Sequence, residues 1–189
     1  VKVAIVIVRY NSSADLDRCL ESLVAYAPRA EHEVIIVDNA SRDEGLADVH
    51  RSYPQFTWIF SNENSGYSRG CNLGMSQAEA DYYLILNPDI VVQPGALDHL
   101  LEFADAHPRA GLVGPQLLNE DGSIQDSCRR FYTFTTLLLR RTFFGKIFPK
   151  SETVRLHLMR DFDHTSVRPV DWVLGGCLLI RRAAMDRTG

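Results

Sequence analysis

The sequence predicts an α/β protein in which a mostly parallel sheet is flanked by helices, a Rossmann-like, doubly wound arrangement. Two observations support this prediction. Apolar runs rich in β-branched residues, typical of strands covered on both faces, recur along the chain. Segments with apolar residues at helical spacing separate these runs. Strands that alternate with helices are typical of a parallel sheet, because each parallel pair needs a crossover connection.

Each element has its own local signal. Val3–Val8 is a continuous apolar run, and Asn11–Ser13 follows it as a turn and helix cap. In the helix after this cap the apolar residues recur at helical spacing; they are Leu16, Cys19, Leu20, Leu23 and Val24. Further strands are predicted at Glu33–Asp38, Phe56–Ser61, Tyr82–Leu86, Gly111–Leu118 and Trp172–Ile180, and further helices around Leu46–Tyr53, in a segment punctuated by Gly66, Gly70 and Gly74, and after Pro94.

Charge is distributed unevenly along the 189 residues, a length that suits one domain with a substantial core. The part up to Asp126 has 8 Lys and Arg against 19 Asp and Glu, whereas the part from Ser127 has 12 against 5. The basic C-terminal third favours a phosphate-bearing or anionic partner, and a solvated basic surface explains it equally well. We expect no nucleic-acid partner.

Cysteine spacing and hydropathy bear on the compartment. The 4 cysteines include no CxxC pair, which excludes zinc-ribbon and thioredoxin-like sites. We expect Cys19, Cys71 and Cys177 to be buried thiols in a reducing cytoplasm. The opening VKVAIVIV is too short for a signal peptide, and no apolar run approaches the roughly 20 residues that span a bilayer.

Polar side chains follow each of the first four predicted strands. They are Arg9, Tyr10 and Asn11; Asp38, Asn39 and Ser41; Asn62, Glu63 and Asn64; and Asn87 and Asp89. In an open parallel sheet these positions share the edge where ligands bind. Turn chemistry alone would supply some of these residues.

The first strand ends in RYNSS, which contains neither G-x-G-x-x-G nor a P-loop. A phosphate-bearing ligand at this sheet would therefore need positive charge from elsewhere. Mg²⁺ or Mn²⁺, held by one or two carboxylates together with phosphate oxygens, is the natural source. Asp89 is placed to bind such an ion, and Pro88 fixes the turn that presents it.

The segments IVIVRYN, VDNAS, NENSGYSRGCNLG, LNPD and DWVLGG occur in this order between Val3 and about Met185. Together they resemble the family-2 glycosyltransferases of GT-A fold, most closely the rhamnosyltransferase-like enzymes of bacterial surface-polysaccharide synthesis. The resemblance implies an inverting transfer of a sugar from a nucleotide-diphospho-sugar, with dTDP-rhamnose favoured and a UDP-hexose second, to a glycan or lipid-linked acceptor. It also implies one GT-A domain over residues 1–189, with 1–118 binding the donor and 119–189 facing the acceptor.

The resemblance further implies roles for individual residues. Tyr10 and Asn11 would lie beside the base, and Asp38 would hydrogen-bond a pyrimidine, with a turn cap as the alternative for Asp38. Asn87 and Asp89 match a metal-binding D-x-D in which an amide replaces the first carboxylate. The loop lining the nucleotide-sugar pocket would comprise Asn64, Gly66, Arg69, Gly70 and Asn72, although Gly70 and Gly74 would serve equally as helix-packing glycines.

The catalytic base is the least defined part of the site. By resemblance it belongs to a downstream acidic motif, so we expect the chain to be truncated at its C-terminus, with the base beyond Gly189. Asp171, beside Trp172, Gly175 and Gly176, is a weak substitute, and a strand start explains it equally well. A donor-binding fragment without turnover therefore remains an alternative. A nucleotidyltransferase is disfavoured, because RYNSS lacks the glycine-rich, basic loop that such an enzyme needs.

Residues 133–148 combine leucine and phenylalanine with Arg140, Arg141 and Lys146. A basic amphipathic segment of this kind can lie on an anionic membrane, which would suit a lipid-linked acceptor at the inner face of the plasma membrane. A helix packed on the sheet is the alternative. Arg129 and Arg130 are further candidates for phosphate contact.

Overall fold

A computed structural model describes residues 1–141 and 152–188. Along this part of the chain the strands are β1 Lys2–Arg9, β2 Glu31–Asp38, β3 Thr57–Phe60, β4 Tyr82–Leu86, β5 Leu112–Val113, β6 Cys128–Arg129, β7 Trp172–Val173 and β8 Cys177–Arg181. The helices are α1 Ser13–Ala25, α2 Leu46–Ser52, α3 Tyr67–Met75, α4 Ala96–Ala106, α5 Phe134–Arg141, α6 Glu152–His157 and α7 Arg182–Thr188.

The central sheet has the order β3-β2-β1-β4-β8-β5. The first four of these strands are parallel, as predicted, and β8 is antiparallel to both of its neighbours. Every residue of β4 is buried, and only Lys2 of β1 is partly exposed. The apolar runs therefore form the centre of the sheet, because helices and loops cover both of their faces.

The sequence-based prediction is wrong for two of the six strands of this sheet. The run Gly111–Leu118 forms only the two-residue strand β5, since Pro115 lacks the N–H that a longer ladder would need. The run Trp172–Ile180 forms two strands in different sheets: β7 pairs with β6, whereas β8 pairs with β4. Leu174, Gly175 and Gly176 separate them, so the apolar character alone did not reveal the break.

The chain forms two compact units. The first comprises Val1–Pro115 and Gly175–Gly189, and the second comprises Gln116–Leu174. The residues from Gly175 onward belong to the first unit, where they supply β8. The division of one GT-A domain into a donor half, 1–118, and an acceptor half, 119–189, stays a prediction.

Glycines allow α3 to pack directly on the sheet. A Cβ on Gly70 would lie 2.6 Å from Val8 Cγ1, and one on Gly74 would lie 2.4 Å from Val6 Cγ1. Neither distance is compatible with van der Waals contact, so only glycine permits this approach. The packing alternative therefore describes Gly70 and Gly74 in this structure, and the start of α3 is brought to the carboxyl ends of β1 and β4.

Candidate donor-binding cleft

A cleft of about 490 Å³ lies in the first unit, beyond the carboxyl ends of β1 and β4. The chain runs from β1 outward to β2 and β3, then returns to place β4 on the other side of β1. This reversal is a topological switch point, where open α/β sheets form their binding crevices. The residues that line the cleft are Val8, Arg9, Tyr10, Ser12, Asp15, Asn39, Asn64, Gly66, Tyr67, Asn87, Pro88 and Asp89.

Tyr10 and Asn11 follow β1 and have different environments. Tyr10 lines the cleft and is 52% exposed, so its ring is available to a flat ligand. Asn11 has a φ of +51°, and its Oδ1 accepts a hydrogen bond of 2.8 Å from the backbone N–H of Arg42. Its own N–H donates to Ser41 Oγ at 3.0 Å. Asn11 thus joins the loop after β1 to the loop after β2.

Arg9 is a buried cation at the end of the central strand, with a residue exposure of 1%. Its guanidinium donates to Asp38 Oδ1 at 2.8 Å, to Asp43 Oδ1 at 2.6 Å and to Ser13 Oγ at 3.1 Å. Burial opposes ionisation of Asp43, but hydrogen bonds from Ser13 and Arg9 prevail and lower the pKa of its carboxyl to about 2. The two loops beside the cleft are therefore held by ionised, hydrogen-bonded groups.

Asp38 is buried within this network and is 3% exposed. One carboxylate oxygen accepts from Arg9, and the other accepts from the backbone N–H of Ser41 at 3.1 Å. The second bond caps the turn after β2, which is the alternative role that the sequence suggested for Asp38. Asn39, rather than Asp38, lines the cleft. Each carboxylate oxygen can accept a further hydrogen bond, so recognition of a base by Asp38 stays a prediction.

The loop after β3 is ordered by paired amides. Asn39 Nδ2 donates to Asn64 Oδ1 at 2.9 Å, and Asn39 Oδ1 accepts from the backbone N–H of Ser65 at 3.1 Å. Asn64 Oδ1 also accepts from the N–H of Gly66 at 3.0 Å. Gly66 has a φ of +89°, a conformation that favours glycine, and α3 begins directly after it. These bonds shape the wall of the cleft that Asn39, Asn64 and Gly66 line.

Tyr67, the first residue of α3, connects this wall to the Asn87-Pro88-Asp89 turn. Its hydroxyl donates to Asn87 Oδ1 at 2.7 Å and lies 3.3 Å from the carbonyl oxygen of Gly175. Burial, together with the nearby Cys71 and Asp89, raises the pKa of Tyr67 above its ordinary value, so the hydroxyl keeps its proton. Sequence reasoning missed Tyr67, although it lies inside the quoted NENSGYSRGCNLG segment.

Asp89 is exposed at the rim of the cleft, with no hydrogen bond or ion pair to any residue that the structure describes. Across residues 1–141 and 152–188 no three His, Cys, Asp or Glu residues cluster as a complete metal site. A single free carboxylate still fits Mg²⁺ or Mn²⁺ in a site where phosphate oxygens and water complete the coordination. The donor set therefore suits an ion that binds together with a diphosphate.

The remaining predicted residues do not line the cleft. Arg69 and Asn72 are exposed on α3, and Gly70 is buried against β1. Asp171 belongs to the second unit, where its Oδ2 accepts a hydrogen bond of 2.8 Å from the backbone N–H of Phe131. This bond is consistent with the structural role that the sequence left open for Asp171.

The basic segment 133–148 is described only up to Arg141, so residues 142–148 lie outside the described part. In the described residues no helix is long and apolar enough to cross a membrane.

Comparison with known proteins identifies the family of this chain. The model of glycosyl transferase family 2 matches residues 4–165. The N-acetylglucosaminyl-diphospho-decaprenol L-rhamnosyltransferase of Mycobacterium tuberculosis is 31% identical over 98% of this chain and 63% of its own length. A low-salt glycan biosynthesis hexosyltransferase of Haloferax volcanii is 24% identical over 99% of this chain and 55% of its own length.

Solved structures agree on the fold. The mannosyltransferase PcManGT from Pyrobaculum calidifontis, in complex with GDP-Man and Mn²⁺, matches 99% of this chain and 46% of its own at a TM-score of 0.61 and 18% identity. S. aureus TarS 1-349 in complex with UDP-GlcNAc matches 67% of this chain and 38% of its own at a TM-score of 0.55 and 26% identity.

The chain therefore has the GT-A glycosyltransferase fold predicted from the sequence, which these comparisons confirm. It belongs to glycosyl transferase family 2. It spans less than two thirds of the length of the curated relatives described above.

Proposed function

We propose that this chain binds the donor in an inverting glycosyltransferase that moves a sugar from a nucleotide-diphospho-sugar to a glycan or lipid-linked acceptor. The observation that carries the proposal is the cleft at the switch point, where Asp89 stands free beside the amides of Asn39, Asn64 and Asn87. Such a rim offers hydrogen bonds to a nucleotide and a carboxylate for a divalent ion. The name of the mycobacterial relative supports rhamnose as the sugar. The sequence resemblance favours dTDP-rhamnose as the donor, with a UDP-hexose second.

In the proposed reaction an acceptor hydroxyl attacks the anomeric carbon while the nucleoside diphosphate leaves. A divalent ion bound with Asp89 would supply positive charge that stabilises the departing diphosphate. Tyr10 would pack against the base, and the loops joined by Asn11 and Arg9 would hold the nucleotide in a fixed orientation. A carboxylate must remove the proton of the acceptor hydroxyl, and its position beyond Gly189 stays a prediction.

Titration calorimetry with dTDP and with UDP, each with and without Mn²⁺, tests the proposal. We expect Mn²⁺ to strengthen nucleotide binding and Asp89→Ala to remove this gain. Asp17→Ala, which removes an exposed carboxylate on α1 away from the cleft, is the matched control and should bind like the wild type. Absence of binding of either nucleotide by the wild-type chain would overturn the proposal. Transfer measured on a chain extended to the full length of its relatives then separates an enzyme from a donor-binding module.

Peripheral membrane contact through residues 133–148 remains part of the proposal for the acceptor side. In the second unit Phe134, inside this segment, is 81% exposed, and Phe131, which precedes the segment by two residues, is 70% exposed. Aromatic side chains next to arginines favour the interface of an anionic bilayer. Cosedimentation with vesicles that contain phosphatidylglycerol tests this contact. Phe131→Ser with Phe134→Ser should reduce the bound fraction, and equal binding of this variant would refute the contact.

A further inference from the structure

The Asn87 side chain has its oxygen and its nitrogen in different environments. The oxygen Oδ1 accepts the hydroxyl hydrogen of Tyr67 at 2.7 Å, while the amide nitrogen Nδ2 has no partner among the residues that the structure describes. Asn87 itself lines the cleft beside Asp89. A neutral tyrosine hydroxyl has one hydrogen, and the distance of 2.7 Å to Asn87 is shorter than the 3.3 Å to Gly175. The hydrogen therefore goes to Asn87.

Hydrogen bonds fix the backbone of Asn87, so the position of its Cα at the edge of the cleft is defined. Its N–H donates to the carbonyl of Gly176 at 2.9 Å, and its carbonyl accepts from the N–H of Ile90 at 3.2 Å. Tyr67 is fixed in turn as the first residue of α3, a helix that packs against β1 through Gly70. Both partners of the Tyr67–Asn87 bond are thus held by the fold.

From this geometry we infer that Asn87 is not a metal ligand but a hydrogen-bond donor to the diphosphate, and that Tyr67 is the residue that orients it. A divalent ion binds oxygen rather than an amide N–H, and the oxygen of Asn87 is engaged by Tyr67. A phosphate oxygen is an acceptor and suits the free Nδ2. Asp89 is then the sole side-chain ligand from the Asn87-Pro88-Asp89 turn. This inference rests on the proposed function.

The factor by which Mn²⁺ strengthens nucleotide binding tests the inference without any measurement of turnover. The quantity is the ratio of the Kd for UDP without Mn²⁺ to the Kd with Mn²⁺. A residue that contacts only the phosphate contributes to both Kd values equally and leaves the ratio unchanged. A residue that binds the ion strengthens nucleotide binding only when Mn²⁺ is present, so its loss lowers the ratio. The same ratio with dTDP gives an independent repeat.

We expect Asn87→Ala to weaken UDP binding on the order of 10-fold in both conditions, as suits the loss of one hydrogen bond to a charged group, and to keep the ratio. Tyr67→Phe should weaken both Kd values less and also keep the ratio. Asp89→Ala should bring the ratio to about 1. Tyr53→Phe is the matched control, because it removes a tyrosine hydroxyl that lies away from the cleft and should change neither value.

Asn87→Asp provides a second, nearly isosteric variant should Asn87→Ala fail to fold. It replaces the free N–H group by a negatively charged oxygen, so UDP alone should bind more weakly while the Mn²⁺ ratio rises above that of the wild type. A ratio that collapses in Asn87→Ala would overturn the inference and make Asn87 a metal ligand. Wild-type protein that binds no nucleotide would instead overturn the proposed function, so the two failures are distinguishable.

Discussion

Replacement of Arg9 by methionine should cost far more stability than the same replacement at Arg29. Both arginines bond two carboxylates: Arg9 pairs with Asp38 and Asp43 at 2.8 and 2.6 Å, and Arg29 pairs with Asp98 and Glu102 at 2.9 and 3.0 Å. They differ in exposure, since the Arg9 side chain is 0% exposed and that of Arg29 is 77% exposed. The comparison therefore isolates the effect of burial.

The magnitude follows from what each replacement leaves behind. Arg9→Met leaves Asp38 buried without its cation, which typically costs about 3–5 kcal/mol. Arg29→Met removes pairs on a side chain that water screens, which costs about 0–1 kcal/mol. With a urea dependence of roughly 2 kcal/mol per molar, the Arg9 variant should unfold at about 2 M less urea than the wild type.

Urea unfolding followed by far-UV circular dichroism at pH 7 measures this difference. Asp38→Asn in the Arg9→Met background should recover part of the loss, because it removes the unpaired charge. The dependence of the free energy of unfolding on acid pH tests the same ion-pair network. The pKa of Asp43 is lowered to about 2 in the folded chain and is about 4 when unfolded, so the contribution of Asp43 to the free energy of unfolding is present above pH 4 and is lost as the pH falls towards 2. Equal losses in Arg9→Met and Arg29→Met would refute the reasoning.

Two further outcomes follow from the packing of the first unit. Gly74→Ala should lower the free energy of unfolding by about 1–3 kcal/mol, because its Cβ would lie 2.4 Å from Val6 Cγ1. The loss caused by Gly74→Ala should be smaller in a Val6→Ala background than in the wild-type chain, although Val6→Ala itself removes buried methyl groups. Calorimetric melting measures both, and an unchanged melting temperature in Gly74→Ala would contradict the packing. Burial raises the pKa of both Cys19 and Cys177 to about 12, so these thiols stay protonated in the folded chain. The free energy of unfolding should therefore decline as the pH rises from about 9 towards 12. Iodoacetamide at pH 8 should label the two thiols only after unfolding, and rapid labelling of the native chain would contradict their burial.

The centre of the sheet could be predicted from the sequence because its signal is local. A run such as Val3–Val8 is compatible with little except a buried strand, and the same holds for Tyr82–Leu86. The division of Trp172–Ile180 between two sheets could not be predicted, because pairing partners distant in the sequence decide it.

The positions of residues in the candidate site could be predicted from the sequence, but their side-chain partners could not. Residues at strand ends, such as Tyr10 and Asp89, follow from the rule that binding crevices form at the carboxyl edge of the sheet. Side-chain partners did not follow from any rule of spacing. Arg9 bonds Asp38, the last residue of β2, and Asp43 in the loop after it, and Tyr67 bonds Asn87 in the turn after β4. Such pairs depend on side-chain direction, which no pattern in a single sequence encodes.

The place of β8 in the sheet has a consequence for synthesis on the ribosome. β4 pairs with β1 on one edge, and its other edge is completed only by Cys177–Arg181, which are made after the whole second unit. Until then the nascent chain presents an apolar strand with unpaired backbone groups, a template for association with other chains. The carbonyls of Gly175 and Gly176, which accept hydrogen bonds from the Tyr67 hydroxyl and the Asn87 N–H, are also made only after the second unit. A nascent chain that stops before Cys177 should therefore associate with other chains more readily than a chain that includes β8.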